Sequence, residues 1–178
     1  MIETKNLIIR KSEWDDLEDF YRWEQDPAVT EFFTINDGRD YEEVTREFVE
    51  RAGDDSQHQF TVCLKDTGEA IGRIYVSNIN HHYDSLDITR IYIADKANRG
   101  KGYGEEALCL VLKWSFEEMK AERVTLDHFA ANKIAASLYE KVGFVREGTM
   151  RHGGKKNGEY VDLCLMSMLK EEYFKKFY

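Results

Sequence analysis

The residues best suited to chemistry lie in one short run, Arg99-Gly100-Lys101-Gly102-Tyr103-Gly104. A strand-like stretch ends before it, near Ala94, and a helix-like stretch begins near Gly104. A strand, a glycine loop and a helix in that order aim several backbone N–H groups at one point, where the helix N-terminus adds partial positive charge. Glycines let the backbone approach a ligand with no Cβ in the way. The ligand that suits such a loop is a phosphate or pyrophosphate, with Arg99 and Lys101 adding charge. A dinucleotide loop needs G-x-G-x-x-G, and Glu105 stands where the third glycine would fall. A nucleotide P-loop needs G-x-x-x-x-G-K-[ST], which neither Gly100-Lys101 nor Gly154-Lys155 satisfies. What remains is R-x-x-G-x-G between a strand and a helix. A plain connecting turn does not need three glycines in five residues flanked by two cations.

Other candidates offer less. Cys63, Cys109 and Cys164 are widely spaced and odd in number, with no CxxC. That excludes a disulfide framework and a Cys-rich zinc site, and reduced, buried thiols are expected. His81, His82 and Asp84 could suggest a metal, but adjacent side chains on a strand diverge. A solvated loop fits them better, and no metal is expected.

A second segment makes the glycine loop specific. Residues 132–144 read N-K-I-A-A-S-L-Y-E-K-V-G-F. Together these two segments resemble the GNAT superfamily, the GCN5-related N-acetyltransferases. Arg99, Gly102 and Gly104 match that family's acetyl-CoA pyrophosphate loop, R/Q-x-x-G-x-G/A, and 132–144 is similar to its N-x-x-A-x-x-L-Y-E-K-x-G-F segment. Leu7-Ile8-Ile9-Arg10, Asp16, Trp23 and Asp26, and the closing Asn157-Gly158-Glu159-Tyr160-Val161-Asp162, are similar to the branch that acetylates ribosomal-protein N-termini or polyamines such as spermidine. The resemblance covers nearly the whole chain and implies a single N-acetyltransferase domain over 1–178. It also implies a mixed sheet whose fourth and fifth strands splay apart to admit acetyl-CoA.

The implied activity is acetyl transfer from acetyl-CoA to a primary amine by direct attack in a ternary complex. The amine could belong to a protein N-terminus, a polyamine or another small molecule. Such a reaction needs the donor held, the carbonyl oxygen stabilised, the ammonium deprotonated and the leaving thiolate protonated. The resemblance assigns the backbone N–H groups of Gly100, Lys101, Gly102, Tyr103 and Gly104, with Arg99, to the pyrophosphate. It assigns the backbone of Tyr92 and Ile93 to the pantetheine arm, and Asn132 to the same arm as well as to its own helix cap. Tyr139 matches the family's general acid, and its apolar helix face would equally suit a core aromatic. For the base the candidates are Asp87, one residue from the position where related enzymes place a Glu (here Ile88), and His128, at the end of the next strand. A water chain is the third possibility. Arg151, His152, Lys155 and Lys156 could touch the 3′-phosphate of CoA or form a solvated loop. Glu42, Glu43, Glu47, Glu50, Asp54 and Asp55 form an acidic edge that could attract a cationic acceptor. A non-catalytic CoA-binding or regulatory module on the same fold is the alternative from another class, and an intact Tyr139 weighs against it. A homodimer is common in similar proteins.

The elements that must position these residues follow from periodicity. Helical spacing appears over 13–24 (Trp14, Leu17, Phe20, Tyr21), where Ser12 could cap and Pro27 lies just past the end, and over 41–52 (Tyr41, Val44, Phe48, Val49). Alternation predicts strands over 58–65, 70–77 and 86–94, an antiparallel meander with a polar loop at 78–83. A helix over 104–119, a strand over 123–128 and a helix over 132–142 follow, the last ended by Gly143. Two strands, 144–150 and 160–168, close the chain around a glycine loop. With a first strand at 7–9 the order is β-α-α-β-β-β-α-β-α-β-β. That predicts an α/β (α+β) fold, a mixed, mostly antiparallel sheet of six to seven strands with about four helices.

Composition narrows the partners. Lys and Arg total 25 against 34 Asp and Glu, a formal charge of −9 over 178 residues, with 42% apolar and 13% aromatic residues. This is the composition of a globular chain, and its charge argues against a nucleic-acid binder and favours a cationic partner. No apolar run approaches the ~20 residues needed to span a bilayer, so no membrane partner is expected. The first residues lack the pattern of a signal peptide, and the cytoplasm is the expected compartment.

Overall fold

The computed structural model describes residues 2–178. Eight strands form one sheet: β1 (Ile2–Glu3), β2 (Leu7–Lys11), β3 (His58–Leu64), β4 (Ala70–Asn80), β5 (Ser85–Ile93), β6 (Arg123–Phe129), β7 (Val145–Lys156) and β8 (Glu159–Leu169). Their spatial order is β1-β2-β3-β4-β5-β6-β8-β7. Every neighbouring pair is antiparallel except β5 and β6, which run parallel. Six helices cover it: α1 (Leu17–Glu24), α2 (Pro27–Thr30), α3 (Tyr41–Ala52), α4 (Tyr103–Lys113), α5 (Lys133–Val142) and α6 (Lys170–Phe177). Helices α4 and α5 lie on the face where Leu108, Val111 and Leu112 meet Ile74, Val124, Leu126 and Met166. Helices α1 and α3 lie on the other, where Leu17, Phe20, Val44 and Phe48 surround Tyr92.

The mixed α/β class is as the sequence predicts and the splay as the resemblance implies, but the sheet has eight strands rather than six or seven and carries six helices rather than about four, the short β1, α2 and the C-terminal α6 being the additions. Several boundaries also differ for local reasons. Strand β1 is two residues long and pairs Ile2 with Ile9, too short to show a period. Pro27 does not merely follow a helix. It opens α2, with Asp26 Oδ1 accepting from Ala28 N at 2.9 Å. Ser12 does not cap: its Oγ bonds Thr61 Oγ1, and Glu13 with Asp16 forms a capping box over a 3₁₀ turn, Trp14–Asp16. Helix α4 ends at Lys113 and widens into a π turn, Trp114–Glu118. The glycine loop expected between the last two strands is instead strand. β7 runs through Gly153 and Gly154, and the reversal is confined to Asn157 (φ +48°) and Gly158 (φ +88°). Two successive positive φ values make the tight hairpin turn that Asn-Gly favours.

A bulge in β5 decides which side chains share a face. Tyr75 pairs with Arg90 but Val76 pairs with Ile88, so Thr89 is an extra residue. Before it, Leu86 and Ile88 join the α4–α5 core, and after it Ile91 and Ile93 do. Asp87, Arg90 and Tyr92 therefore all face α1 and α3.

That second face is held by charge. Glu24 Oε1 lies 3.2 Å from both Arg73 Nη1 and Arg90 Nη1, and Glu24 Oε2 lies 3.0 Å from Arg39 Nη1. Glu47 approaches Arg51 at 2.7 Å, Arg39 at 2.9 Å and Arg90 at 3.1 Å. Burial alone would raise the Glu47 carboxyl, but the charges of Arg90, Arg51, Arg73 and Arg39 outweigh it and hold it at about 2, against an ordinary 4.5. A carboxylate depressed in the fold contributes stability that is complete above its unfolded pKa and is lost as the pH falls through the folded one. Replacing Glu47 by Gln should thus destabilise the protein by about 3 kcal/mol at pH 7 in urea unfolding, since it strands buried arginines. The wild-type advantage should shrink at pH 3, and an advantage equal at both pH values would contradict this origin.

Candidate active site

The site lies where the sheet opens. β5 and β6 pair only over Ser85–Arg123, Leu86–Val124 and Asp87–Thr125. Beyond that vertex β5 continues to Ile93 bonded to β4, and β6 continues to Phe129 bonded to β8. The facing edges, 88–93 and 126–129, have no strand between them. An extended arm entering there would find backbone donors and acceptors not used by a neighbouring strand, the part assigned by resemblance to Tyr92 and Ile93, although Ile93 O already accepts from Arg99 Nε.

The glycine loop stands at the mouth of this opening. Gly100 (φ +75°) and Gly102 (φ +85°) both take the left-handed backbone, and Gly102 caps α4. The Glu106 N–H donates to Gly102 O at 3.0 Å. The amides of Gly102, Tyr103, Gly104 and Glu105 precede it and are the open donors of the helix end. A Cβ on Gly100 or Gly102 would meet nothing within 4 Å, and one on Gly104 would meet Leu138 Cδ2 at 4.0 Å, so the loop is open to solvent on its outer side. Open amides beside an unpaired strand edge fit a pyrophosphate with an extended arm. Arg99 is used structurally as well. Its Nε donates to Ile93 O at 3.1 Å and its Nη2 to Ala94 O at 2.7 Å, strapping the loop to the strand end. The Lys101 side chain is exposed, with Nζ 3.5 Å from Asn98 Oδ1. Asn132 caps α5, its Oδ1 accepting from Ala135 N at 3.0 Å, which leaves its amide nitrogen to face outward interactions.

Tyr139 and His128 come together on the α4–α5 face, ring centroids 5.8 Å apart, and both are buried. Burial, with the Asp127 charge adding to it, pushes the Tyr139 phenol up to about 12. His128 Nδ1 lies 2.9 Å from Phe129 O, which fixes the ring. Asp87 lies on the opposite face. Thr125 Oγ1 donates to its Oδ2 at 2.8 Å and Thr89 Oγ1 to its Oδ1 at 2.9 Å. Burial raises its carboxyl above the ordinary range, and the two threonines pull against that. The expected base candidates are thus not neighbours: the sheet separates them.

The geometry adds residues that the sequence reading passed over. Asp127 sits two positions after Thr125 on β6, just beyond the vertex and on the face of Asp87. Its side chain is exposed to solvent, and partial desolvation followed by the Asp87 charge raises its carboxyl above the ordinary range. Alternation with Val124 and Leu126 is the signal that could have shown it. Above this face the loop 31–39 bridges the opening: Phe32 packs edge-on to Phe129 of β6 at 6.1 Å, and Phe33 packs on Tyr92 of β5 at 5.6 Å. The loop is tied to the β7–β8 turn. Asp37 accepts from Lys156 Nζ and Asn157 Nδ2, each at 2.8 Å, and Asn157 Oδ1 accepts from Asp37 N at 3.0 Å. Lys156 is therefore committed to this clamp, while Lys155 lies over the Tyr160 ring at 5.0 Å. The acidic edge is largely committed too. Glu47 is in the arginine cluster, Glu42 pairs with Arg46, Glu43 closes a capping box, and Asp54 bonds Ser56 and Gln57. Among the described residues no three His, Cys, Asp or Glu side chains are placed to hold a metal, and no helix is long and apolar enough to cross a membrane.

Comparison with known proteins agrees with this geometry. An uncharacterized N-acetyltransferase, p20, of Bacillus licheniformis is 26% identical over 174 residues, 96% of each chain. A spermidine N(1)-acetyltransferase of Vibrio cholerae is 25% identical over 171 residues, again 96% of each. The crystal structure of a spermidine N-acetyltransferase from Vibrio cholerae in complex with CoA and spermine superposes with a TM-score of 0.87 at 23% identity, covering 96% of this chain and 99% of that one. Residues 6–145 match the family described as Acetyltransferase (GNAT) domain, and the chain is accordingly a GNAT N-acetyltransferase with acetyl-CoA as its co-substrate.

Proposed function

We propose that the enzyme acetylates the primary amine of a cationic alkylamine by direct attack in a ternary complex, with polyamines the first class to consider. The observation that carries this reading is the division of the opened sheet. The open amides of Gly102, Tyr103, Gly104 and Glu105 and the free edge of β5 serve the donor. Asp87, Asp127 and the rings of Phe32, Phe33, Tyr92 and Phe129 stand on the other face. Carboxylates and aromatic surface together suit an ammonium on an apolar stem. The relatives named as spermidine N-acetyltransferases point the same way.

In this reading the chain supplies three things. The loop amides and the α4 N-terminus hold the pyrophosphate, with the Arg99 and Lys101 charges nearby. The β5 backbone aligns the donor arm and polarises its carbonyl. Tyr139 then gives its phenolic proton to the departing thiolate as the amide bond forms. A phenol held near 12 stays protonated throughout the neutral range, as an acid must.

Turnover of acetyl-CoA to free thiol over a panel of polyamines, amino acids and N-terminal peptides tests the assignment, with the polyamines expected to react fastest. Tyr139→Phe should lower kcat about 100-fold while calorimetry shows acetyl-CoA affinity intact; an unchanged kcat would make Tyr139 a core residue only. Gly102→Val puts a β-branched side chain at φ +85° and should weaken acetyl-CoA binding at least tenfold, whereas Gly104→Ala, which meets only Leu138 at ordinary contact, should bind nearly as wild type.

A further inference from the structure

The proton that leaves the acceptor ammonium needs a destination, and the residues expected to take it are poorly placed. His128 donates from Nδ1 to Phe129 O, which leaves Nε2 with the lone pair, but its ring lies on the α4–α5 side beside Tyr139, the face opposite Phe32 and Phe33. Asp87 has both oxygens occupied by threonine hydroxyls, and it belongs to the last paired position before the opening. Asp127 differs on both counts. It lies one step beyond the vertex, on the face away from Tyr139, and no protein donor is bonded to its carboxylate among the described residues. Phe129, two positions further along β6 on the same face, packs against Phe32, so Asp127 lies on the strand face that the loop 31–39 overlooks.

We propose that Asp127 is the carboxylate that receives the acceptor ammonium and takes its proton, with Asp87 as a positioning residue behind it. The inference rests on the amine-acetylating reading above. In the step, one ammonium N–H bond breaks, the proton goes to a carboxylate oxygen of Asp127, and the nitrogen keeps the electron pair with which it attacks the carbonyl carbon. Tyr139 supplies a separate proton to the thiolate, so the two transfers balance on opposite faces of the sheet. Water restores both groups after release.

The charged and titratable groups around Asp127 define its pH behaviour. Asp87 on β5 raises its carboxyl, His128 on its own strand lowers it, and Tyr139 on α5 is the group it influences in turn. From β8 the register partner is Leu165, which carries no charge. Partial desolvation is the larger of the two upward effects, and a carboxylate raised toward neutral pH is a more effective base.

The test uses the full-length enzyme with the best amine of the panel. Asp127→Asn should lower kcat/KM for the amine about 100-fold, leave acetyl-CoA affinity within about twofold and remove the acid limb of the pH–rate profile. Asp127→Glu, which keeps a carboxylate on that face, should recover at least tenfold of the loss. Asp87→Asn should keep the limb but move it to lower pH, because it removes a charge that raises Asp127; a merely structural role for Asp87 would move stability and not the limb. Asp127→Asn turning over at the wild-type rate with its acid limb intact would overturn the assignment of Asp127 alone. An enzyme that acetylates no amine in the panel would overturn the acetyltransferase reading of the acceptor, and this assignment with it.

Discussion

Backbone hydrogen bonding at the centre of the sheet is the constraint on which the rest depends. Central strands cannot leave their N–H and C=O groups without partners, yet β5 and β6 separate after three paired residues. The separation is tolerable because each strand is complete on its other edge. β5 is bonded to β4 from Ser85 to Ile93, and β6 to β8 along its whole length. Close approach at the far end of the opening requires Gly72, where a Cβ would lie 2.2 Å from Tyr92 O. The sheet is thus two well-bonded halves joined by a short parallel seam, and the groups left over face the cleft. The unpaired edge is open to an extended ligand, and the glycine loop and the start of α4 stand at its mouth because the chain leaves β5 there.

The second face obeys a different rule. Four arginines, Arg39, Arg51, Arg73 and Arg90, share two glutamates, Glu24 and Glu47, between the helices α1 and α3 and the sheet. Such a cluster is a poor source of net stability, since desolvation offsets much of the attraction. What it supplies is register. Its pairs tie Glu24 of α1 and Glu47 of α3 to Arg73 of β4 and Arg90 of β5, and Arg39, at the end of the loop 31–39, is tied to both carboxylates. The overall charge of −9 reads differently in this light. Much of the acidic run on α3 is engaged within the protein, and in the proposed reading the negative charge an acceptor meets is the small group at the seam.

The parts legible in sequence were those written in local chemistry. Glycines at 100, 102 and 104 between a strand and a helix, and Asn132 to Gly143 as a capped and terminated helix, each name their own conformation. The missed parts depend on partners far away. The bulge at Thr89 has no local signature, because an extra residue is defined only by the β4 register. Without it, simple alternation would put Leu86, Ile88, Arg90 and Tyr92 on one face, whereas the fold divides them. β7 was obscured by Gly153 and Gly154, which weaken a strand pattern but are needed here: a Cβ on Gly154 would lie 2.8 Å from Thr34 Cγ2, where the bridging loop crosses. Asp127 was overlooked because its neighbour His128 has the more familiar catalytic side chain, although period two on β6 places them on opposite faces.

That opposition has a consequence for the order of events. Burial is the larger reason that Tyr139 is held near 12, and the negative charge of Asp127 is the other. While Asp127 is ionised, the phenol is a weak acid and keeps its proton. If Asp127 takes the ammonium proton as proposed, the charge that opposes ionisation of Tyr139 is removed, and the phenol becomes a stronger acid. The two groups need no hydrogen bond to act in sequence. A shared field across the sheet couples them, moderated by solvent on the exposed Asp127 side. Under the proposed roles, the opening would link proton removal on one face to proton delivery on the other, with the acid weakest before the amine is deprotonated and strongest as the leaving group departs.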